Sequence, residues 1–138
     1  MKILFVSLIV AGLFMGCTTA HISPEDIIGK WNNAYQIQSK DENGKWSQWT
    51  TINTLVALPT LEFTTDGKIL WDGKQSDFCC VPRTYTIKKG NVIAYSSGTS
   101  SCETVDCVEY KDWVIERLKN DTLEINQHYT KVRYLRGK

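Results

Sequence analysis

From Gly29 onward, apolar residues recur at alternate positions in short runs, each ended by a turn signal, and no stretch keeps a helical period. Lys30 to Gln38 carries Trp31, Tyr35 and Ile37; Asp41-Glu42-Asn43-Gly44 turns the chain into Trp46 to Leu55, with Trp46, Trp49, Ile52 and Leu55. Leu61-Glu62-Phe63-Thr64 alternates strictly, Asp66-Gly67 turns, and Ile69-Leu70-Trp71 returns. Thr84 to Ile87, the Lys89-Gly90-Asn91 turn and Val92 to Tyr95 repeat the scheme. Trp113 to Leu118, a turn at Lys119-Asn120-Asp121, Leu123 to Gln127 and Lys131 to Arg136 complete it. The expectation is an all-β antiparallel meander of about eight strands, rolled into an up-and-down barrel because closure removes exposed edges. A two-sheet β-sandwich is the alternative. Ser23-Pro24-Glu25-Asp26-Ile27-Ile28 has the cap, the proline and the acidic start of a single helical turn.

The first residues follow a different rule. Lys2 precedes an almost wholly apolar run from Ile3 to Phe14, too short to span a bilayer comfortably and suited to an export signal. The run closes on Met15-Gly16-Cys17, which resembles the bacterial lipobox, although Phe14 and Met15 stand where Leu and a small residue are usual. The resemblance implies a signal peptide over 1–16, acylation of Cys17, a lipidated tether over 17–24 and a β domain over 25–138. An ordinary secretory peptide cut near Thr19 or Ala20 is the alternative. Thr18, rather than Asp, after the cysteine resembles the class released to the outer membrane, on its periplasmic or its outer face.

Composition narrows the partners. Lys2 is the only charged residue in the leader, so the 16 basic and 15 acidic residues of the chain leave the remainder with equal numbers. A neutral chain without a basic run is not expected to bind nucleic acid, and the expected membrane attachment is lipid rather than a polybasic patch. Cys79, Cys80, Cys102 and Cys107 form an even set in an exported chain and read as two disulfides, not as a zinc site. A bond between adjacent Cys79 and Cys80 would strain the peptide. A hairpin turning at Lys89-Gly90 brings both near Ser100 to Cys102, which favours cross-links between the two segments with the partners left open.

Three short stretches carry a wider resemblance. Ile27-Ile28-Gly29-Lys30-Trp31, Leu61 to Lys68 and Leu118 to Leu123 resemble small bacterial lipocalin-like lipoproteins, whose signature opens with Gly-x-Trp. The resemblance implies a barrel-end set of Gly29, Trp31 and a basic residue of the last strand, Arg133 or Arg136, over the Trp31 ring; Arg133 is taken for that place. It also implies a small apolar or amphipathic ligand held in or at the barrel mouth.

No catalytic constellation, metal set or cofactor motif is present, so a non-enzyme is expected. His21 lies in the tether, and His128 ends a strand with no nucleophile beside it in sequence. Alternation with Leu123 and Ile125 points Glu124 to solvent. Ser97 to Ser101 is a polar loop without the lysine or helix of a phosphate cradle, and Asn120-Asp121-Thr122 reads as a turn before it reads as a glycosylation acceptor. Aromatic residues remain as candidate ligand walls: Tyr35, Trp71, Tyr85, Tyr95 and Trp113, each equally able to fill a core. The alternative function is protein interaction with an envelope or host protein through the stapled Cys79–Cys107 region, for example as an inhibitor of a hydrolase.

Overall fold

The computed structural model describes residues 21–98, 102, 107 and 110–138. The export signal, Cys17 and most of the Ser97–Ser101 loop lie outside the described residues. Among the described residues there is one short helix, α1 (Pro24–Ile27), and ten strands: β1 (Gly29–Trp31), β2 (Gln36–Ser39), β3 (Thr50–Thr51), β4 (Leu61–Phe63), β5 (Ile69–Trp71), β6 (Pro82–Lys88), β7 (Val92–Ser97), β8 (Asp112–Lys119), β9 (Thr122–Asn126) and β10 (Thr130–Leu135). No helix among them is long and apolar enough to cross a membrane.

The strands are antiparallel, as alternation predicts, but their ladder does not close. A three-stranded sheet runs β1-β4-β5 and a seven-stranded sheet runs β3-β2-β10-β9-β8-β7-β6. The sheets meet at single bridges, Trp31 with Arg136 at one corner and Lys68 with Thr84 at the other. The barrel expectation is therefore corrected to a two-sheet arrangement. Its cause is visible in the run expected to be continuous from Lys30 to Gln38. The chain breaks over residues 32–35, so β1 turns aside to pair with β4, while β2 stays on β10 with Val132 opposite Ile37. Asn32 and Tyr35 still donate to the carbonyls of Leu135 and Arg133, so the break is a bend against β10, not a departure from it.

The expected strand from Trp46 to Leu55 shrinks to Thr50–Thr51 plus one bridge from Trp46 to Lys40. Leu55 is fully exposed. Turn chemistry fares better. Asn91 (φ 59°) follows Gly90 (φ 84°), and Asn120 and Asp121 sit at 51° and 57°, left-handed positions that Asn, Asp and Gly tolerate.

The core lies between the sheets. Trp31, Leu61, Phe63 and Ile69 from one face meet Ile93, Ile115, Leu123, Ile125, Val132 and Tyr134 from the other, with Ile27 of α1 as a lid. Burial pushes the Tyr134 phenol from 10.0 up to about 12, against a hydrogen bond with Gln127 that works the other way. The fold thus favours the neutral phenol, and its contribution is intact below pH 10 and lost as pH rises through the folded value. Stability should fall by about 1.4 kcal/mol per pH unit between these limits. Urea midpoints compared at about pH 9 and about pH 11 should show a smaller alkaline loss in Tyr134→Phe than in the parent chain.

Candidate functional site

Two ends of the core differ in how they are finished. At one, Trp31 is fully buried and its indole Nε1 donates to the Ile27 carbonyl at 2.9 Å. The Arg136 guanidinium stacks on the ring at 4.2 Å and donates to the Ile28 and Asp26 carbonyls. Gly29 has φ +116°, a backbone conformation that residues with a Cβ rarely adopt, which explains a glycine two residues before the tryptophan. Arg136, not Arg133, therefore covers Trp31. The registers explain the difference: Trp31 faces Arg136 across the corner bridge, whereas Arg133 pairs with Gln36 further along β10.

Arg133 serves the outer face of the large sheet. It donates to Glu124 at 2.9 Å and to Gln36 at 3.0 Å, and Trp49 lies over it at 3.6 Å. Glu124 is only 8% exposed, so its expected solvent position is corrected. It does point away from the core, as alternation requires, but the Trp46–Thr51 arm roofs that face and leaves little water there. Lys131 and Lys40 stack on Trp46 in the same layer, and Lys131 pairs with Glu116 at 2.7 Å. Burial works to raise the Glu116 carboxyl, but hydrogen bonds from Lys131 and Asn126 outweigh it and hold the group below its ordinary value.

The other end is open. After the Lys68–Thr84 bridge, β5 and β6 part. Asp72 (φ 50°) and Gly73 (φ 77°) fold β5 back on itself so that Trp71 pairs with Lys74, and Pro82 has no N–H with which to extend the ladder. The gap is a cleft of about 640 Å³. Its apolar walls include Trp71, Trp113, Pro59, Val81 and Pro82, and Lys74, Asp72 and Asp77 stand among its polar groups. The Trp71 indole donates to the Pro82 carbonyl at 3.2 Å and meets Trp113 edge-on at 6.5 Å. Two disulfides brace the loop beside it: Cys79–Cys102, and Cys80–Cys107, with Cys80 itself in the cleft wall. Both run between the two segments expected, just beyond the last β6–β7 pair, Pro82 opposite Ser97.

Of the five aromatic candidates, Trp71 and Trp113 come together in this cleft. Tyr95 backs Trp113 at 5.0 Å without lining the cleft. Tyr85 donates to the Thr64 carbonyl at 2.9 Å and packs edge-on to Phe63, so it fills core. Burial first, and then the charges of Asp66 and Asp112 respectively, raise the Tyr85 and Tyr95 phenols and keep them neutral. Tyr35 lies in the bend between β1 and β2, outside the cleft. Sequence reasoning missed the rest of the cleft, since Pro59, Val81 and Pro82 carry no periodic signal. Outside the cleft lining, His128 Nε2 lies 2.8 Å from the Asp112 carboxylate and the ring stacks on Tyr110 at 4.0 Å. Among the described residues no group of three or more His, Cys, Asp or Glu is placed to hold a metal ion.

No protein-family model matches the chain, and no curated protein is similar to it. Among solved structures, the crystal structure of a lipocalin-like protein from Bacteroides uniformis is similar at 16% identity, covering 81% of this chain and 99% of that one, with a TM-score of 0.48.

Proposed function

We propose that this chain is an exported, lipid-anchored protein of lipocalin-like design that holds a small apolar or amphipathic molecule in the cleft between Trp71 and Trp113. The observation that carries the reading is the cleft itself: about 640 Å³, walled by two indoles, two prolines and Val81, with polar groups such as Lys74, Asp72 and Asp77 among its lining. The apolar leader ending in Met15-Gly16-Cys17 supports anchoring at the outer membrane.

Titration with N-phenylnaphthylamine tests it. Probe fluorescence should rise on binding, Val81→Trp should fill the cleft and weaken binding at least tenfold, and Trp113→Ala should weaken it with loss of the aromatic wall. Unchanged affinity in a folded Val81→Trp protein would sink the reading. A second reading, a grip on an envelope or host protein, is favoured by Phe78, which lines the cleft from the stapled loop and is nevertheless 78% exposed. Capture of a partner that survives Val81→Trp but not Phe78→Ser would select it.

A further inference from the structure

We propose that the Trp31 end of the molecule lies against the bilayer that carries the anchor, presenting Lys88, Lys89 and Lys119 to lipid phosphates and turning the cleft away. The inference rests on the reading of Cys17 as the lipidated residue.

The topology separates the two ends. The β6–β7 turn, the β8–β9 turn and the end of β10 gather around Trp31 and α1: Arg136 reaches Asp121 at 3.7 Å and the carbonyls of Asp26 and Ile28. The cleft is lined instead by Trp71 at the end of β5, Pro82 at the start of β6, Trp113 at the start of β8 and Gln127 just past β9. The β8 strand, 8 residues long, runs from one end to the other, a span of about 23 Å at the usual rise per residue.

The tether enters at the Trp31 end. Ile22 is buried in the core cluster, and its N–H donates to the Asn91 side chain of the β6–β7 turn at 2.9 Å. Five residue steps separate Ile22 from Cys17, which reach at most about 18 Å however extended the chain. The anchor thus cannot pass along the strands to the cleft.

Charge gives the same orientation independently. Two acidic groups at this end are neutralised within the chain: Asp66 pairs with Lys68, and Asp121 meets Arg136. Glu25 and Asp26 on α1 keep their charge, Asp26 accepting only from Ser23. Lys88, Lys89 and Lys119, exposed on the two adjacent turns, form no ion pair among the described residues. A surface of this kind complements anionic headgroups within a Debye length. The cleft then exchanges its contents with the aqueous compartment or a facing partner, not with the anchoring leaflet.

Energy transfer on the lipidated full chain decides the matter. A donor dye is attached through p-azidophenylalanine at exposed position 120 or 77, and rhodamine-labelled lipid is the acceptor in vesicles of equal parts phosphatidylethanolamine and phosphatidylglycerol. Transfer from position 120 should exceed that from position 77 several-fold. The combined Lys88→Glu, Lys89→Glu and Lys119→Glu variant should bring the ratio toward one while still floating with the vesicles. Equal transfer in the parent chain, or stronger transfer from 77, overturns the orientation while leaving the anchor standing. An unchanged ratio in the triple variant overturns the lysine contact. Protein that fails to float with vesicles overturns the anchor, and the orientation with it.

Discussion

Trp31→Ala is expected to destabilise the domain by about 3–5 kcal/mol, the cost of emptying a fully buried indole site. Three losses coincide there. The core loses its largest buried side chain, the Ile27 carbonyl loses the indole N–H, and Arg136 loses the ring on which it stacks. Arg136 also ties α1 to the end of β10, so the helical turn should loosen with the core. Urea unfolding followed by circular dichroism measures the effect. Trp31→Phe should cost less, because a ring remains under the guanidinium while the hydrogen bond to Ile27 goes. An equal loss in both variants would show that the hydrogen bond, not the ring, holds this end.

Removing both disulfides should be comparably severe. Cys79–Cys102 spans 23 residues, a loop for which chain entropy gives about 3–4 kcal/mol. Cys80–Cys107 spans 27 residues, but once the first bridge exists it closes only a short ring, and its share falls to about 2 kcal/mol. The combined loss, about 5 kcal/mol, is as large as the whole stability of many domains of this size. Either pair replaced alone by alanine should therefore cost only about 2 kcal/mol, because the surviving bridge still closes a loop of 23 or 27 residues. Binding should tell the two apart, because Cys80 stands in the cleft wall and Cys79 does not. If the two double variants bind the probe equally, the cleft is not shaped by its staple.

The strands of the second half of the molecule were legible because each alternates cleanly and ends in Gly, Asn or Asp at a left-handed position, as at Gly90-Asn91 and Asn120-Asp121. The hairpin register brings Cys79 and Cys80 near Cys102, whereas Cys107 lies beyond its reach and follows only from the even cysteine count. What alternation cannot encode is which sheet a strand joins. Trp31 and Ile37 keep the same spacing whether or not the chain bends between them, so the split of β1 from β2, and with it the two-sheet arrangement, was hidden. Glu124 shows the same limit: its direction followed from Leu123 and Ile125, but its burial depends on Trp46 and Trp49, which arrive from a segment with little strand of its own. The cleft was half legible. Trp71 and Trp113 stood out as aromatic, whereas the gap between them is made by a fold-back at Asp72-Gly73 and by a proline that ends a ladder.

The corner at Lys68–Thr84 has a mechanical meaning. Full ladders in this protein join neighbours through several residue pairs, and the Trp31–Arg136 corner is reinforced by a stacked guanidinium, but the far corner has one bridge, the Gly67 carbonyl that accepts from Tyr85, and side-chain bonds from Tyr85 to Thr64 and from Trp71 to Pro82. The two leaves are thus hinged at one spine and only latched at the other. The expected easiest motion is a wedge-like gape that widens the gap beside Trp71 while the packing around Trp31 stays fixed, and it should be read as faster amide exchange at Tyr85 than at Asn32.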